Sequence, residues 1–167
     1  MQVKFKRLIP EAVIPTRADN GSAGWDLYVP TDEKYHHTIE AGETYVCKLG
    51  FAVEIVLPRQ RFGSRDIQDD IIKMNLPDGY QIEIRPRSGN AAKKSLGVLN
   101  SPGTLDETYR GEVGVILHNH SNKPIEIHPS DRIAQMVLMP YYTMNFIEVE
   151  ELSETDRGQN GFGSTGN

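Results

Sequence analysis

Turn-forming clusters interrupt this 167-residue chain so often that no long regular element can form in it. PTRADNGSAG, EAGE, LPDG, SPGT, SNKP and HPSD put proline, glycine, asparagine or aspartate where a strand or helix would have to continue. Between them run short stretches rich in β-branched and aromatic residues: QVKFKRL, WDLYV, TYVCKLGFAVEIV, YQIEIR, EVGVILHN, PIEIH, RIAQMVLM and NFIEVEEL. QVKFKRL alternates with period two in its first half, placing Val3 and Phe5 on one face. No stretch holds an apolar period of 3.6 residues for long. The expectation is an all-β fold of short strands, closed as a barrel or jelly-roll-like sandwich. One short helix is predicted in RSGNAAKKSL, with Ser88 as its N-cap and Asn90 to Lys94 in the turns that follow.

The length suits one domain with a sizeable core. Residues 57–77, LPRQRFGSRDIQDDIIKMNLP, break the β rhythm with dense charge and read as an inserted loop, with room for a short helix around Ile67 to Lys73. The single cysteine, Cys47, excludes an intrachain disulfide and reads as a packed core thiol. No apolar run approaches the roughly 20 residues of a membrane span, and MQVKFKRLIPEAVIP is unlike a secretory signal. The expectation is a soluble, cytoplasmic protein with no membrane partner. A net charge of −5 argues against coating nucleic acid, so any phosphate-binding surface must be local.

Four places could support chemistry. In RPRSG (85–89) a strand meets a proline, and Arg87, a serine hydroxyl and helix-start N–H groups could together hold a phosphate. Alone, the pentapeptide is better explained by a helix cap beside a surface arginine. GTLDETYRGE (103–112) sets Asp106 after a Pro-Gly turn and offers Tyr109 as a flat face for a sugar or base; a capping aspartate and a surface tyrosine are the plainer readings. SAGWDL (22–27) carries Asp26 at another loop-to-strand junction. SDRIAQMVL (130–138) carries Asp131 and Arg132, ordinarily a solvated turn pair, and Gln135, a polar residue in an apolar strand that needs partners or a polar cavity. His118 and His120 share a strand face without a third ligand at zinc spacing, and His36–His37 would point to opposite faces. The end of the chain, RGQNGFGSTGN (157–167), sets Phe162 between glycines, with Arg157 at the root and Ser164–Thr165 near the tip. Such a tail suits closure over a ligand with a flat ring and phosphates better than plain fraying.

AGWDL (23–27), RPRSG (85–89), GVLNSPGTLDETYRGE (97–112), SDRIAQMVL (130–138) and RGQNGFGSTG (157–166), in that order, resemble the five motifs of the trimeric dUTPase family. The resemblance implies a jelly-roll-like domain over 1–155 and a flexible C-terminal arm over 156–167. It implies a homotrimer whose active sites draw motifs from all three chains. The activity it implies is Mg²⁺-dependent hydrolysis of dUTP to dUMP and pyrophosphate by water attack at the α-phosphorus. That reaction keeps uracil out of DNA and supplies dUMP for thymidylate synthesis. Asp106 matches the general base, which needs only to be ionised near neutral pH, as carboxylates ordinarily are. Arg87, Ser88 and Gly89 match the phosphate-binding motif, and Gln135 a position near the phosphates and attacking water. Asn100, Thr104 and Leu105 match nucleoside-pocket positions, with uracil read through the backbone of a hairpin from about Leu99 to Gly114. Tyr109 would pack under the deoxyribose and exclude a 2′-hydroxyl. Phe162 would stack on uracil while Arg157, Gly163 and Ser164 hold the phosphates. Mg²⁺ would be held chiefly by phosphate oxygens and water, with Asp26 as an outer-shell or positioning carboxylate.

Two positions depart from the family pattern: Asn160 stands where a glycine is usual in the arm, and Ser130 where a glycine usually precedes the motif-four aspartate. The 57–77 insertion lies outside the pattern and could lengthen a hairpin, form an oligomer contact or bind a regulatory protein. Two other readings stay open. A dCTP deaminase, or a bifunctional deaminase–dUTPase, on the related fold would release ammonia from dCTP, and a nucleotide-sensing module would keep the site for binding with catalysis secondary.

Overall fold

The structure, a computed structural model, describes residues 1–56 and 77–159. All of the predicted insertion except Pro77 lies outside the described residues, as do Asn160, Phe162, Gly163 and Ser164. Among the described residues, eleven strands run in the order β1 (Gln2–Arg7), β2 (Trp25–Tyr28), β3 (His37–Ile39), β4 (Thr44–Lys48), β5 (Phe51–Val56), β6 (Gly79–Arg85), β7 (Leu96–Val98), β8 (Gly103–Leu105), β9 (Gly114–Asn119), β10 (Ile125–Ile127) and β11 (Arg132–Tyr141). A 3₁₀ turn spans Glu33–Tyr35, and the predicted helix, α1, spans Ser88–Lys94.

Alternation decides which face of each strand is buried. In β9, Val115, Leu117 and Asn119 turn inward while Ile116 and His118 stay half-exposed. In β6 it is Ile82 and Ile84 that turn inward. The strands form four small antiparallel sheets: β1–β5, β3–β10, β4–β9–β7 and β2–β11–β6–β8. Their inner faces share one core in which Leu27, Val29, Ile39, Leu49, Phe51, Val113, Val115, Leu117 and Ala134 are fully buried. Asn119 is the one buried polar residue among those described. Its amide donates to the carbonyls of Ile39 (2.9 Å) and Lys123 (2.7 Å), and its Oδ1 accepts from the Ser121 N–H (2.9 Å). The Asn119 side chain, taken from water by burial, is thereby satisfied within the protein.

Cys47 is packed in this core, as its apolar setting implied, and burial pushes its thiol up to about 12. TYVCKLGFAVEIV, read as one run, is two strands parted at Leu49–Gly50. Gly50 has φ 71°, its carbonyl accepts from Leu8 N (2.8 Å) and Ile9 N (3.2 Å), and a Cβ there would strike the Ile9 side chain. Only glycine fits both demands.

Two further expectations are corrected. Ser88 is not the N-cap of α1: the cap position is Arg87, in extended backbone, and it makes no side-chain cap bond. Its guanidinium is engaged elsewhere. NFIEVEEL forms no strand. After β11 the chain leaves the body, tied where Thr143 N and Oγ1 donate to Asp78 Oδ2 (2.6 and 2.8 Å), bonds that hold the Asp78 carboxyl below its ordinary range. Phe146, Ile147 and Leu152 are 86%, 77% and 87% exposed. A strand needs a ladder partner, and residues 145–152 find none among the described residues of their own chain.

Candidate active site

The order β2–β11–β6–β8 sets four separated sequence segments side by side. β2 carries WDL, β11 RIAQM, β6 runs into RPRSG, and β8 is GTL. Register then sorts the side chains. Gln135 on β11 faces Asp26 on one side and Arg85 on the other, while Glu83 faces Thr104 across β6–β8. Directly opposed residues share a face, so Asp26, Gln135, Arg85, Glu83 and Thr104 project to the side away from Leu27, Ile82, Ile84 and Ala134. One face of the sheet is core and the other carries these polar side chains.

Asp26 is the hub. Its side chain is 14% exposed and clamps two guanidiniums. Arg87 donates from Nε to Oδ1 at 2.7 Å and from Nη2 to Oδ2 at 3.4 Å. Arg132 donates from Nη1 to Oδ2 at 3.2 Å. Arg132 is thus paired with Asp26 and not with its neighbour Asp131, which instead accepts the His128 N–H at 3.0 Å. The sequence leaves Arg132 in a turn pair; its role shows only once β2 and β11 are laid in register. A second pair, Arg85 Nη2 to Glu83 Oε2 at 2.6 Å, keeps Arg85 parallel to the sheet.

Gln135 finds the partner that a polar residue in an apolar strand requires. Its Nε2 donates to the Pro86 carbonyl at 3.0 Å, and its side chain lies over Gly24 so closely that a Cβ there would collide with Oε1. The glycine of AGWDL is therefore a space-maker for the glutamine of RIAQ. Asn90, three residues past Arg87, donates from Nδ2 to the Arg132 carbonyl at 2.9 Å and ties α1 to β11. Ser88 and Gly89 are exposed at the start of α1, where N–H groups have no acceptor within the helix.

The hairpin expected from about Leu99 to Gly114 does not form: β7 pairs with β9 and β8 with β6, in different sheets, and the connection between β7 and β8 and the turn after β8 carry the remaining predicted residues. Asn100 is exposed and its side chain packs near Gly103, leaving a Cβ there only 3.1 Å from Nδ2. Thr104 is exposed, whereas the Leu105 side chain packs against the core and offers chiefly its backbone to a ligand. Asp106 follows β8. Its carboxylate is exposed with no hydrogen-bond partner among the described residues, while its carbonyl accepts from Tyr109 N at 3.0 Å. Tyr109 is 43% exposed, and its hydroxyl donates to the Glu112 carbonyl at 3.0 Å. Gly111 has no side chain because the Tyr109 ring occupies that space. The aromatic face is held rigid and presented outward. Arg157 is described and exposed.

A model of the dUTPase family matches residues 49–166. The deoxyuridine 5′-triphosphate nucleotidohydrolase of Nautilia profundicola is 43% identical over 166 residues, 99% of each chain. That of Clostridioides difficile is 40% identical over 164 residues, 98% of this chain and 97% of the other. Among solved structures, the Staphylococcus bacteriophage 80alpha dUTPase with dUPNHPP superposes with a TM-score of 0.75 at 24% identity, covering 99% of both chains. A structure of the S. aureus phage phi11 dUTPase, described as revealing the coordination of a structural Mg(II) ion, superposes with a TM-score of 0.70 at 21% identity, covering 92% of this chain and all of the other. At these identities the two structures speak to the fold.

Proposed function

The chain belongs to the dUTPase family and is a dUTP diphosphatase; we propose that it works by aiming water with Asp106 at a triphosphate held by Arg87, Ser88, Gly89 and Gln135. The observation that carries this assignment of roles is the clamp on Asp26, which fixes Arg87 beside the start of α1. A guanidinium held at both Nε and Nη2 is pre-aligned, so little freedom is lost when a phosphate arrives. Gln135, pinned between Asp26 and the Pro86 carbonyl, supplies a second fixed polar group. An exposed Asp106 with no partner among the described residues can accept a proton from water. As water attacks the α-phosphorus, the new P–O bond forms, Asp106 takes the water proton, and the bond to the pyrophosphate oxygen breaks. Such chemistry depends mainly on positioning and charge neutralisation.

For the base and sugar, the backbone of residues 100–105 would pair with uracil, and Tyr109 would pack beneath the deoxyribose. Phe162 would cover the base, and Arg157, Gly163 and Ser164 the phosphates, from an arm at 156–167. Mg²⁺ fits this site as a companion of the substrate: both Asp26 oxygens are taken by arginines, so phosphate oxygens and water would be its main donors. Once bound it would neutralise phosphate charge, and Asp26 would reach it only through water.

A homotrimer is the assembly we infer. The groove lined by Val3, Phe5, Ile14, Trp25, Ile82 and Leu138, about 340 Å³ in volume, and the bare apolar residues of 145–152 are surfaces a lone chain in water does not keep. No helix among the described residues is long and apolar enough to cross a membrane, and we place the enzyme in the cytoplasm. The test is pyrophosphate release from dUTP, dTTP, dCTP and UTP with Mg²⁺. Cleavage of dUTP alone is expected; ammonia from dCTP would replace this reading with a deaminase. Asp106→Asn should abolish turnover and keep nucleotide binding, and unchanged turnover would remove Asp106 from the base role.

A further inference from the structure

We propose that His36, Glu126 and His128 form a binding site for a first-row transition metal dication such as Zn²⁺ or Ni²⁺, separate from the Mg²⁺ of the reaction. The β3–β10 register creates it. Ile127 faces His37 and Glu126 faces Thr38, so one further step sets His128 opposite His36. Ile125 and Ile127 point into the core at 7% and 1% exposure, and alternation therefore sends Glu126 and His128 outward together. The His36 and His128 rings lie 4.9 Å apart, His128 Nε2 is 3.5 Å from Glu126 Oε2, and one donor atom from each of the three residues lies within 4.8 Å of the others. Donors on a tetrahedral ion at bond lengths of about 2.0–2.1 Å sit roughly 3.3–3.4 Å apart, so small rotamer adjustments close the site.

The surroundings suit a ligand set. Behind His128, Asp131 Oδ2 stands 3.8 Å from Nδ1 and also accepts the His128 N–H. A carboxylate behind one ring nitrogen, with the other turned to the cluster, is the support that metal-bound histidines usually have. Pro129 and Ser130 close a tight turn here, with Asp131 N donating to the His128 carbonyl at 3.1 Å, and His36 is fixed by its N–H to the Glu33 carbonyl at 3.0 Å. Among the described residues no other group of three histidine, cysteine or acidic side chains converges in this way. His118 and His120 are paired edge to face at 4.4 Å, but His118 Nδ1 already contacts Thr44 Oγ1 at 3.0 Å. Two imidazoles and one carboxylate favour zinc, nickel or copper, whereas magnesium prefers oxygen and water. All three residues are exposed, so water completes the coordination, and the ion staples two three-residue strands together.

Calorimetric titration of the full-length, chelator-treated protein with ZnCl₂, and separately NiCl₂, in buffer containing Mg²⁺ tests this. One saturable ion per chain is expected. His128→Ala and Glu126→Gln should each weaken it at least tenfold, while His118→Ala/His120→Ala leaves it unchanged. Zinc should raise the melting temperature of the parent protein and not of Glu126→Gln, and dUTP turnover should be the same in both. Absence of saturable binding, binding that survives both His128→Ala and Glu126→Gln, or loss in the His118/His120 variant would each overturn the assignment.

Discussion

Replacing Asp26 by asparagine changes one atom's charge and little shape, so it isolates the clamp on Arg87 and Arg132. The Arg87 contact pairs side chains that are 14% and 25% exposed, with its shorter bond at 2.7 Å. A charge-assisted fork of that kind stabilises by about 2 kcal/mol. Arg132 is 51% exposed, and solvent screening reduces its share to about 0.5 kcal/mol. Asparagine keeps one acceptor oxygen and turns an N–H₂ toward a guanidinium, so about half of the total survives. The expected loss is roughly 1–1.5 kcal/mol, or a melting point lower by about 2–6 °C for a chain of this size. Activity should fall further than stability. An Arg87 without its fixed partner misplaces the phosphates, and kcat/KM for dUTP should drop about 10–100-fold. The decisive assay is a double-mutant cycle with Arg87→Ala on both kcat/KM and melting temperature. If Asp26 acts by holding Arg87, the second substitution costs much less once the first is present, with a coupling of about 1–2 kcal/mol. Additive effects on kcat/KM would refute the clamp as a positioning device.

Ser130 sits at φ 67° in the His128–Asp131 turn, a backbone region that costs a residue with a Cβ about 1–2 kcal/mol. Ser130→Gly should raise stability in urea by about 0.5–1 kcal/mol, part of the gain being lost to glycine's greater freedom when unfolded; a destabilised variant would contradict the turn. Truncation after Thr155 should leave the melting curve of the β domain nearly unchanged while reducing kcat by at least about 100-fold, as expected if the arm completes the site. An unaffected rate would make the arm dispensable. Cys47, buried with its thiol raised to about 12, stays protonated in the folded state while the unfolded chain ionises above about pH 9. Its contribution to stability is therefore full below about pH 9 and lost as pH rises toward 12. A Cys47→Ala variant should show a shallower alkaline decline in a chemical-denaturation series, and the same slope as the parent would exclude Cys47 as its cause.

Periodicity and punctuation are enough to read most strands, because alternation records which residues a sheet will bury, whatever the partner strand. GVILHN and QIEIR announce their inner faces this way. Short strands such as Gly103–Leu105 and His37–Ile39 are not legible, since three residues carry no period and exist only through pairing with β6 and β10. The helix is visible in RSGNAAKK, but not its cap. Local chemistry favours serine at an N-cap, yet Arg87 takes the position because Asp26, 61 residues away in sequence, draws its side chain.

The sequence by itself determined the all-β character, the inward residues of the longer strands, the lone unreactive thiol and the residue types of the candidate site. These depend on neighbours along the chain, so a short window of residues contains them. Tertiary structure alone decided that WDL, RIAQM, GTL and the strand leading into RPRSG lie side by side. It decided that Gly24 makes room for Gln135 and that one aspartate clamps two arginines. It also brought His36 against His128. Each of those facts needs two distant segments in register, and register is set by which pairing buries the most apolar surface across the whole sheet, a sum that no single stretch of residues contains.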